Sequence, residues 1–172
     1  MGPTLIVFVP TAPALHELDD VVHSSAIDVT RLSPTTWSFW LAPGTCNANL
    51  AVVPFGTEAD GNGGFTEPIL DPADQRSYAA AVGFHPAAAF QLDNGCRNDP
   101  LGHVLLGRLA ASLARQWLGL IDLGSVKARP HLGSYVAGVL RCAILSNGAA
   151  AYLCDGEFME AWTCSEAYYL EA

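Results

Sequence analysis

Residues 99–118 constrain the fold more than any other stretch, because they combine a helix-start signal with a periodic apolar pattern. Asp99 followed by Pro100 is typical of a helix N-terminus, since the carboxylate accepts backbone N–H groups and the proline ring fits the first turn. We predict a helix from Pro100 to about Leu118, ended by Gly119, with one apolar face that other elements must cover. That face is expected to follow the leucines that recur at every fourth position: Leu101, Leu105, Leu109 and Leu113.

Shorter segments predict the other helices and strands. Three further helices are expected, each from a cap residue at its start: Thr11 for 11–25, Asp71 for the segment 71–84 with Gly83 as its stop, and Asp155 for 155–162. Runs of β-branched and aromatic residues predict strands at 3–10, 35–42, 49–55, 86–94 and 119–124, with a last strand at 167–172.

A β-hairpin is predicted for residues 135–154, because Asn147-Gly148 is a favoured two-residue turn. Such a turn places Ser146 opposite Ala149, and the register then places Cys142 opposite Leu153. In this register five apolar side chains share one face, which we expect to belong to the core: Leu140, Cys142, Ile144, Ala151 and Leu153.

Helices separated by antiparallel hairpins predict the α+β class. The 172 residues suit one domain, 1–172, and 51% hydrophobic residues is a globular composition. We therefore expect a single α+β domain, with a mostly antiparallel sheet and about four helices packed on it.

The charge distribution argues against a nucleic-acid partner and favours a protein partner. The chain carries 8 Lys and Arg against 17 Asp and Glu, a net charge of −9. Residues 1–96 hold ten acids and two bases, whereas residues 97–141 hold six bases and two acids. Nucleic-acid binding requires many basic contacts to phosphate, which this chain does not supply. An acidic surface suits a basic protein, although it also serves solubility alone.

The apolar segments and the cysteines indicate a compartment. No apolar run approaches the length that spans a membrane, and no base precedes the apolar stretch 5–9. We therefore expect a soluble, cytoplasmic protein without a membrane partner. Five cysteines with no Cys-x-x-Cys pair are expected to be reduced and mostly buried, with no structural metal and no cofactor.

Cys96 and His103 form the first candidate catalytic pair. A thiol ahead of a helix N-terminus can have a lowered pKa, and the imidazole can act as a base. However, His103 falls in the first helical turn, and Asp99 is needed as the helix cap. We therefore favour Cys96 as a buried residue at a strand end and His103 as a residue of the helix surface.

Two other groups of polar residues have a chemical and a structural interpretation. His16, Asp20 and His23 have the spacing of one helix face and the chemistry of a zinc site, but this face is expected to be solvated. Asp122 lies among apolar residues and could be catalytic with a raised pKa. We favour a structural role for Asp122 at the end of its strand, bonded to the backbone or to an arginine such as Arg129.

Aromatic residues supply a candidate recognition surface. If 35–42 is a strand, Trp37 and Phe39 point to one face and Trp40 to the other. One exposed aromatic near a sheet edge would serve as an anchor for a partner, although all four tryptophans can also belong to the core.

Two motifs resemble a known group of proteins. One is Cys96, Asn98, Asp99 and His103 with the leucine-rich helix that leads to GLIDLG, and the other is Tyr152, Asp155, Phe158 and Trp162. Over about residues 80–165 the chain resembles a family of small bacterial proteins of unknown function, similar in kind to polymorphic-toxin immunity proteins. The resemblance implies a cytoplasmic protein that binds and blocks one toxin, and it brings no catalytic residue.

The leading hypothesis is a non-enzymatic immunity protein that neutralises a cognate toxin with a basic active-site surface. No catalytic residue is expected, and the partner-binding residues are predicted to be Asp60, Glu67, Glu157, Glu160 and Trp40. Two alternatives stay open. One is a small cysteine-dependent hydrolase with Cys96 as nucleophile, and the other is an accessory domain that forms a homo-oligomer such as a homodimer.

Overall fold

The computed structural model describes residues 3–57, 71–123, 137–165 and 168. Within these residues the elements follow one another as β1 (Thr4–Val9), α1 (Leu15–Ser25), β2 (Ile27–Ser33), β3 (Thr36–Trp40), β4 (Asn47–Pro54), α2 (Pro72–Val82), β5 (Ala88–Asn94), α3 (Pro100–Gln116), β6 (Leu120–Asp122), β7 (Leu140–Ile144), β8 (Ala150–Cys154) and α4 (Gly156–Thr163).

The strands form one eight-stranded sheet in the order β2-β3-β4-β5-β1-β6-β8-β7. Every neighbouring pair among the described strands is antiparallel. The α+β prediction, with its mostly antiparallel sheet and about four helices, is therefore confirmed. β1 lies inside the sheet, because it pairs with β5 on one side and with β6 on the other.

The described helices cover the two faces of the sheet unequally. α1, α3 and α4 pack on one face, where Trp37, Phe39 and Phe90 are fully buried. α2 packs on the opposite face, where Tyr78 and Val82 meet Phe8 and Leu153. The two faces have separate apolar clusters, so alternate residues along the central strands belong to different halves of the core.

α3 confirms the long predicted helix, but its buried face differs from the leucine stripe. A helix turns about 100° per residue, so residues four apart lie about 40° further round at each step. Leu101 is 52% exposed as a result, whereas Leu109 and Leu113 are buried. The inward face also carries buried residues that the stripe omits: the small residues Gly102 and Ala110, the polar His103, and Leu106.

The end of α3 places Leu118, and not Gly119, in the left-handed conformation. Leu118 has a φ of 52°, and the N–H of Gly119 donates to the carbonyl oxygen of Ala114 at 2.7 Å, as in a Schellman motif. A Cβ on Gly119 would lie 2.5 Å from the carbonyl oxygen of Phe8. The prediction that Gly119 terminates the helix is therefore wrong, because Leu118 adopts the left-handed conformation. The glycine at 119 is needed for another reason, which is its close approach to β1.

The caps of α2 and α4 confirm their predictions. The side chain of Asp71 accepts hydrogen bonds from the N–H groups of Ala73 and Asp74. These bonds lower the pKa of Asp71, and the bond from Asp74 has the largest effect. Gly83 ends α2 with a φ of 79°. Asp155 caps α4 in the same way as Asp71 caps α2, by accepting from a backbone N–H of the first turn.

Near the N-terminus one prediction is wrong and one strand was missed. α1 begins at Leu15 with Ala14 at its N-cap and no side-chain cap, so Thr11 does not cap it. β2 was not predicted at all, because this edge strand is mostly exposed and has two register shifts. A strand of this kind lacks the apolar alternation by which strands are recognised in a sequence.

The hairpin of β7 and β8 exists, but its register differs by one residue from the prediction. The N–H of Leu145 donates to the carbonyl oxygen of Ala149, which leaves three residues in the turn, and among them Gly148 has a positive φ. A three-residue turn replaces the two-residue type. Cys142 therefore faces Tyr152.

The change of register also changes the core. Ala143, Ala151 and Leu153 point toward α2, whereas Cys142 and Ile144 lie on the other face and are exposed. The predicted grouping of Leu140, Cys142 and Ile144 with Ala151 and Leu153 is wrong, because a slip of one residue moves every side chain of a strand to the opposite face. The predicted last strand, 167–172, lies outside the described residues except for Tyr168.

Candidate functional site

A disulfide joins Cys46, just before β4, to Cys96, just after β5. Their Cα atoms are 5.7 Å apart across a sequence separation of 50 residues. The expectation that all cysteines are reduced is therefore wrong, and Cys96 is half-buried rather than buried. Since a disulfide sulfur is not a thiolate, Cys96 in this state lacks the nucleophile of the hydrolase alternative.

Of the three cysteines outside the disulfide, Cys154 is buried, whereas Cys142 and Cys164 are exposed. Burial raises the pKa of the Cys154 thiol well above its ordinary value, with smaller contributions from Asp155 and Asp122. The expectation of mostly buried thiols is correct for Cys154 and wrong for the other two.

Asp99 bonds to both the start of α3 and the loop before β4. Its Oδ1 accepts from the N–H of Gly102 at 2.9 Å, which confirms Asp99 as the cap of α3. Its Oδ2 accepts from the N–H of Cys46 at 2.7 Å. The carboxylate therefore joins the same two segments as the disulfide.

His103 is 1% exposed, so its predicted place on the helix surface is wrong. Its Nε2 lies 3.4 Å from the carbonyl oxygen of Cys96, and its own carbonyl oxygen accepts from Tyr168 Oη at 2.9 Å. The imidazole packs beneath the disulfide loop because residue 103 belongs to the inward face of α3. Cys96 and His103 are close in space, but through a backbone oxygen rather than through the sulfur.

Asp122 is the last residue of β6, as expected, and it bonds to α2. The Oη of Tyr78 donates to Asp122 Oδ2 at 2.8 Å. Burial raises the pKa of Tyr78 above its ordinary value, and the charge and hydrogen bond of Asp122 raise it further. Asp122 therefore has a structural partner, Tyr78, that the sequence does not indicate. The predicted partner Arg129 lies outside the described residues.

His16, Asp20 and His23 are exposed on α1, as expected of a solvated face. Within 3–57, 71–123, 137–165 and 168, no group of three or more His, Cys, Asp or Glu is placed to hold a metal ion.

Glu157 lines a cleft of about 580 Å³ where the ends of α2 and α3 meet β7 and the start of α4. Glu160, one turn further along α4, pairs with Arg115, which also lines the cleft. Arg141 donates to the last carbonyl oxygens of α2, at 3.1 Å and 2.5 Å. The charges of this cleft therefore mostly balance one another or bond to helix ends, with Glu157 on its exposed rim.

Trp40 lies at the other end of the sheet and is 40% exposed. Trp37 and Phe39 of the same strand are buried, so the predicted opposition of these side chains is confirmed. Trp40 pairs across the strands with Ile27, which is 42% exposed. Asp28 follows in the first bulge of β2, also exposed and with a φ of 50°. We call Ile27, Asp28 and Trp40 the Trp40 surface.

Asp19, by contrast, makes contacts within the fold on the opposite face of the same edge hairpin. Its Oδ1 accepts from Trp37 Nε1 at 2.5 Å, and its Oδ2 pairs with Arg31 at 2.9 Å. The Arg31 guanidinium also lies 5.2 Å from the Trp37 ring centroid. These contacts fasten α1 to β2 and β3 and support the strand that carries Trp40.

The predicted partner-binding residues do not form one cluster. Trp40 lies on β3 and Glu157 follows β8, which is five strand positions away, or roughly 24 Å at the usual strand spacing. Asp60 and Glu67 lie outside the described residues. Ile27 and Cys46 were missed by sequence reasoning, because β2 was not predicted and five cysteines give no unique pairing.

The fold and these surfaces define a class of protein. It is an α+β protein built on one antiparallel sheet, with a disulfide between the segments before β4 and after β5 and an exposed aromatic residue on an edge hairpin. The chain belongs to the family of unknown function DUF6368, whose model matches residues 1–170. The match agrees with the resemblance to a family of unknown function and covers nearly the whole chain. No curated protein and no solved structure matches the chain.

Among the described helices, none has the length and apolar character needed to cross a lipid bilayer.

Proposed function

We propose that this chain is a non-enzymatic immunity protein that binds a toxin protein and blocks it. The observation that supports the proposal is the Trp40 surface, where an exposed indole and an exposed isoleucine stand side by side on an edge hairpin. Tryptophan is enriched among the residues that dominate binding energies at protein interfaces. The first contact of the partner is therefore the Trp40 surface.

Charge defines the kind of partner that this surface suits. Residues 1–96 hold ten of the chain's acids and two bases. Glu17 and Asp20 are exposed on α1, at the same end of the sheet as Asp28. A toxin with a basic active-site surface is attracted by this field and is occluded once the Trp40 surface has docked. The same long-range field includes Glu157, Asp60 and Glu67, whereas Arg115 offsets the charge of Glu160.

The proposal predicts that a neighbouring reading frame encodes a large secreted protein, and the test uses the C-terminal domain of that protein. Its binding to the wild-type chain is measured by calorimetry and its association rate by stopped flow. Trp40→Ala is expected to weaken binding by at least about 30-fold, the scale of an interface hot spot. Ile144→Ala is the matched control, since Ile144 is 60% exposed on the opposite edge strand, and it should leave binding unchanged.

A second pair of variants separates attraction from contact. Asp28→Lys and Glu157→Lys change the net charge equally, at opposite ends of the sheet. Both should slow association at low salt, and Asp28→Lys should also speed dissociation because it lies at the contact. A wild-type association rate that does not fall with added salt contradicts the steering step. A larger effect of Glu157→Lys on dissociation places the contact at the cleft instead.

A further inference from the structure

We propose that the Cys46–Cys96 disulfide is a redox-sensitive clamp that holds the Trp40 surface in its binding conformation. This inference rests on the proposed function, since it concerns the regulation of the same surface. Its consequence is that the oxidised protein binds its partner more tightly than the reduced protein does.

Cys46 lies next to the strand pair that presents Trp40. β3 ends at Trp40 and β4 begins at Asn47, which are direct partners across the strands. Residues 41–46 form the loop that joins them, and Cys46 is the last residue of this loop. The disulfide therefore acts next to the strand pair that presents Trp40, rather than at a distant point of the fold.

The other end of the clamp is firmly held. Cys96 lies between β5 and α3, and its N–H donates to Asn94 Oδ1 at 3.2 Å. His103, on the inward face of α3, packs below its carbonyl group. The bond therefore ties a hairpin near the edge of the sheet to the start of the central helix.

In the described part of the chain, two backbone N–H groups also join the β3–β4 hairpin to the segment between β5 and α3. The N–H of Cys46 donates to Asp99 Oδ2, and the N–H of Gly95 donates to the carbonyl oxygen of Asn47. Within the loop, Thr45 bonds back to Ala42. The bonds of Asp99 and Gly95 preserve the strand register after reduction, so loss of the disulfide loosens the loop without unfolding the sheet.

The reaction needs a reductant that can reach the bond. Cys46 and Cys96 are both half-buried, so a small dithiol has access. The dithiol supplies two electrons and two protons, the S–S bond becomes two cysteine thiols, and the dithiol closes to its own disulfide. A looser hairpin end must be ordered again on binding, which lowers affinity.

The experiment compares the oxidised wild type with the double variant Cys46→Ser/Cys96→Ser, without reductant, against the neighbouring-frame domain described above. The variant is expected to bind about tenfold more weakly, with faster hydrogen exchange at the amides of residues 41–47. Hydrogen exchange is also measured on the wild type treated with dithiothreitol. This measurement tests the clamp even if the double variant does not fold. Cys142→Ser is the control, because Cys142 is an exposed cysteine outside the disulfide, and it should behave as the wild type does.

The outcomes separate the two proposals. Equal affinity of the oxidised protein and the double variant overturns the clamp and leaves the proposed function standing. Unchanged exchange at residues 41–47 after reduction also overturns the clamp. No binding by the oxidised protein overturns both proposals.

Discussion

Tyr78 and Asp122 join α2 to the end of β6, with the Tyr78 Oη donating to Asp122 Oδ2 at 2.8 Å. Tyr78 is 3% exposed, and its ring also lies edge-on to Phe8, with 5.4 Å between centroids. This bond is a polar contact between α2 and an inner strand of the sheet. Its removal measures how much the packing of α2 depends on it.

Tyr78→Phe is expected to destabilise the fold by about 1–3 kcal/mol, because it removes the donor from a partly buried carboxylate while keeping the ring. Urea unfolding at neutral pH measures the change. Asp122→Asn should cost less, since the amide oxygen still accepts from Tyr78. If both variants are as stable as the wild type, this contact does not hold α2 on the sheet.

The same pair predicts an alkaline transition. Burial and Asp122 raise the pKa of Tyr78 above the ordinary 10.0, so the folded state retains a proton that the unfolded state loses. The stabilisation is therefore complete below about pH 10 and is lost as the pH rises above that value. Unfolding free energies between pH 8 and 11 should fall more steeply for the wild type than for Tyr78→Phe, and parallel curves would contradict this assignment.

Leu118→Gly is expected to stabilise the protein by about 0.5–1 kcal/mol. A non-glycine residue in the left-handed region carries a conformational cost that glycine avoids, and Leu118 is 80% exposed, so little packing is lost. Thermal unfolding provides the measurement.

Gly119→Ala is the matched test at the adjacent residue and should have the opposite sign. Its Cβ would meet the carbonyl oxygen of Phe8 at 2.5 Å, so β1 and the start of β6 would have to separate. A Gly119→Ala protein as stable as the wild type would show that the two segments are not in close contact.

The cysteine arrangement predicts a count of reactive thiols. Denatured protein treated with iodoacetamide should take up three labels without reductant and five after reduction, since one disulfide leaves three free cysteines. Closure of a 50-residue loop corresponds to about 4 kcal/mol in the chain-entropy account of disulfides. Reduction should lower the unfolding free energy by up to that amount, and five labels without reductant would show that the bond is absent.

Trp40 should dominate the response of the tryptophan fluorescence to acrylamide. It is 40% exposed, whereas Trp37, Trp117 and Trp162 are at most 8% exposed. Trp40→Phe is therefore expected to lower the quenching constant to near that of a buried indole and to change stability by less than about 1 kcal/mol. Strong quenching in Trp40→Phe would mean that another tryptophan is accessible.

The features that could be predicted from the sequence are local. Asp71, Asp99 and Asp155 each act as a cap within a few residues of their own position, so the starts of α2, α3 and α4 follow from side-chain chemistry alone. The opposition of Trp37 and Trp40 is equally local, because alternation along a strand requires no knowledge of its neighbours.

The features that could not be predicted depend on distant partners. The burial of His103 depends on which side of α3 meets the sheet, and the leucine stripe indicates this only approximately. β2 is a strand because β3 offers it hydrogen bonds, not because of its own apolar pattern. The pairing of Cys46 with Cys96 requires the order of the strands, and the Trp40 surface depends on the same pairing of β2 with β3.

The central place of β1 has a consequence for how the molecule assembles. Residues 4–9 are synthesised before both of their partners, because β1 pairs with residues 88–94 and 120–122. β1 therefore has no partner on either edge until β5 has been synthesised. Such distant pairings slow folding, so the apolar side chains of Leu5, Val7 and Val9 are open to other contacts until α3 and β6 close over them.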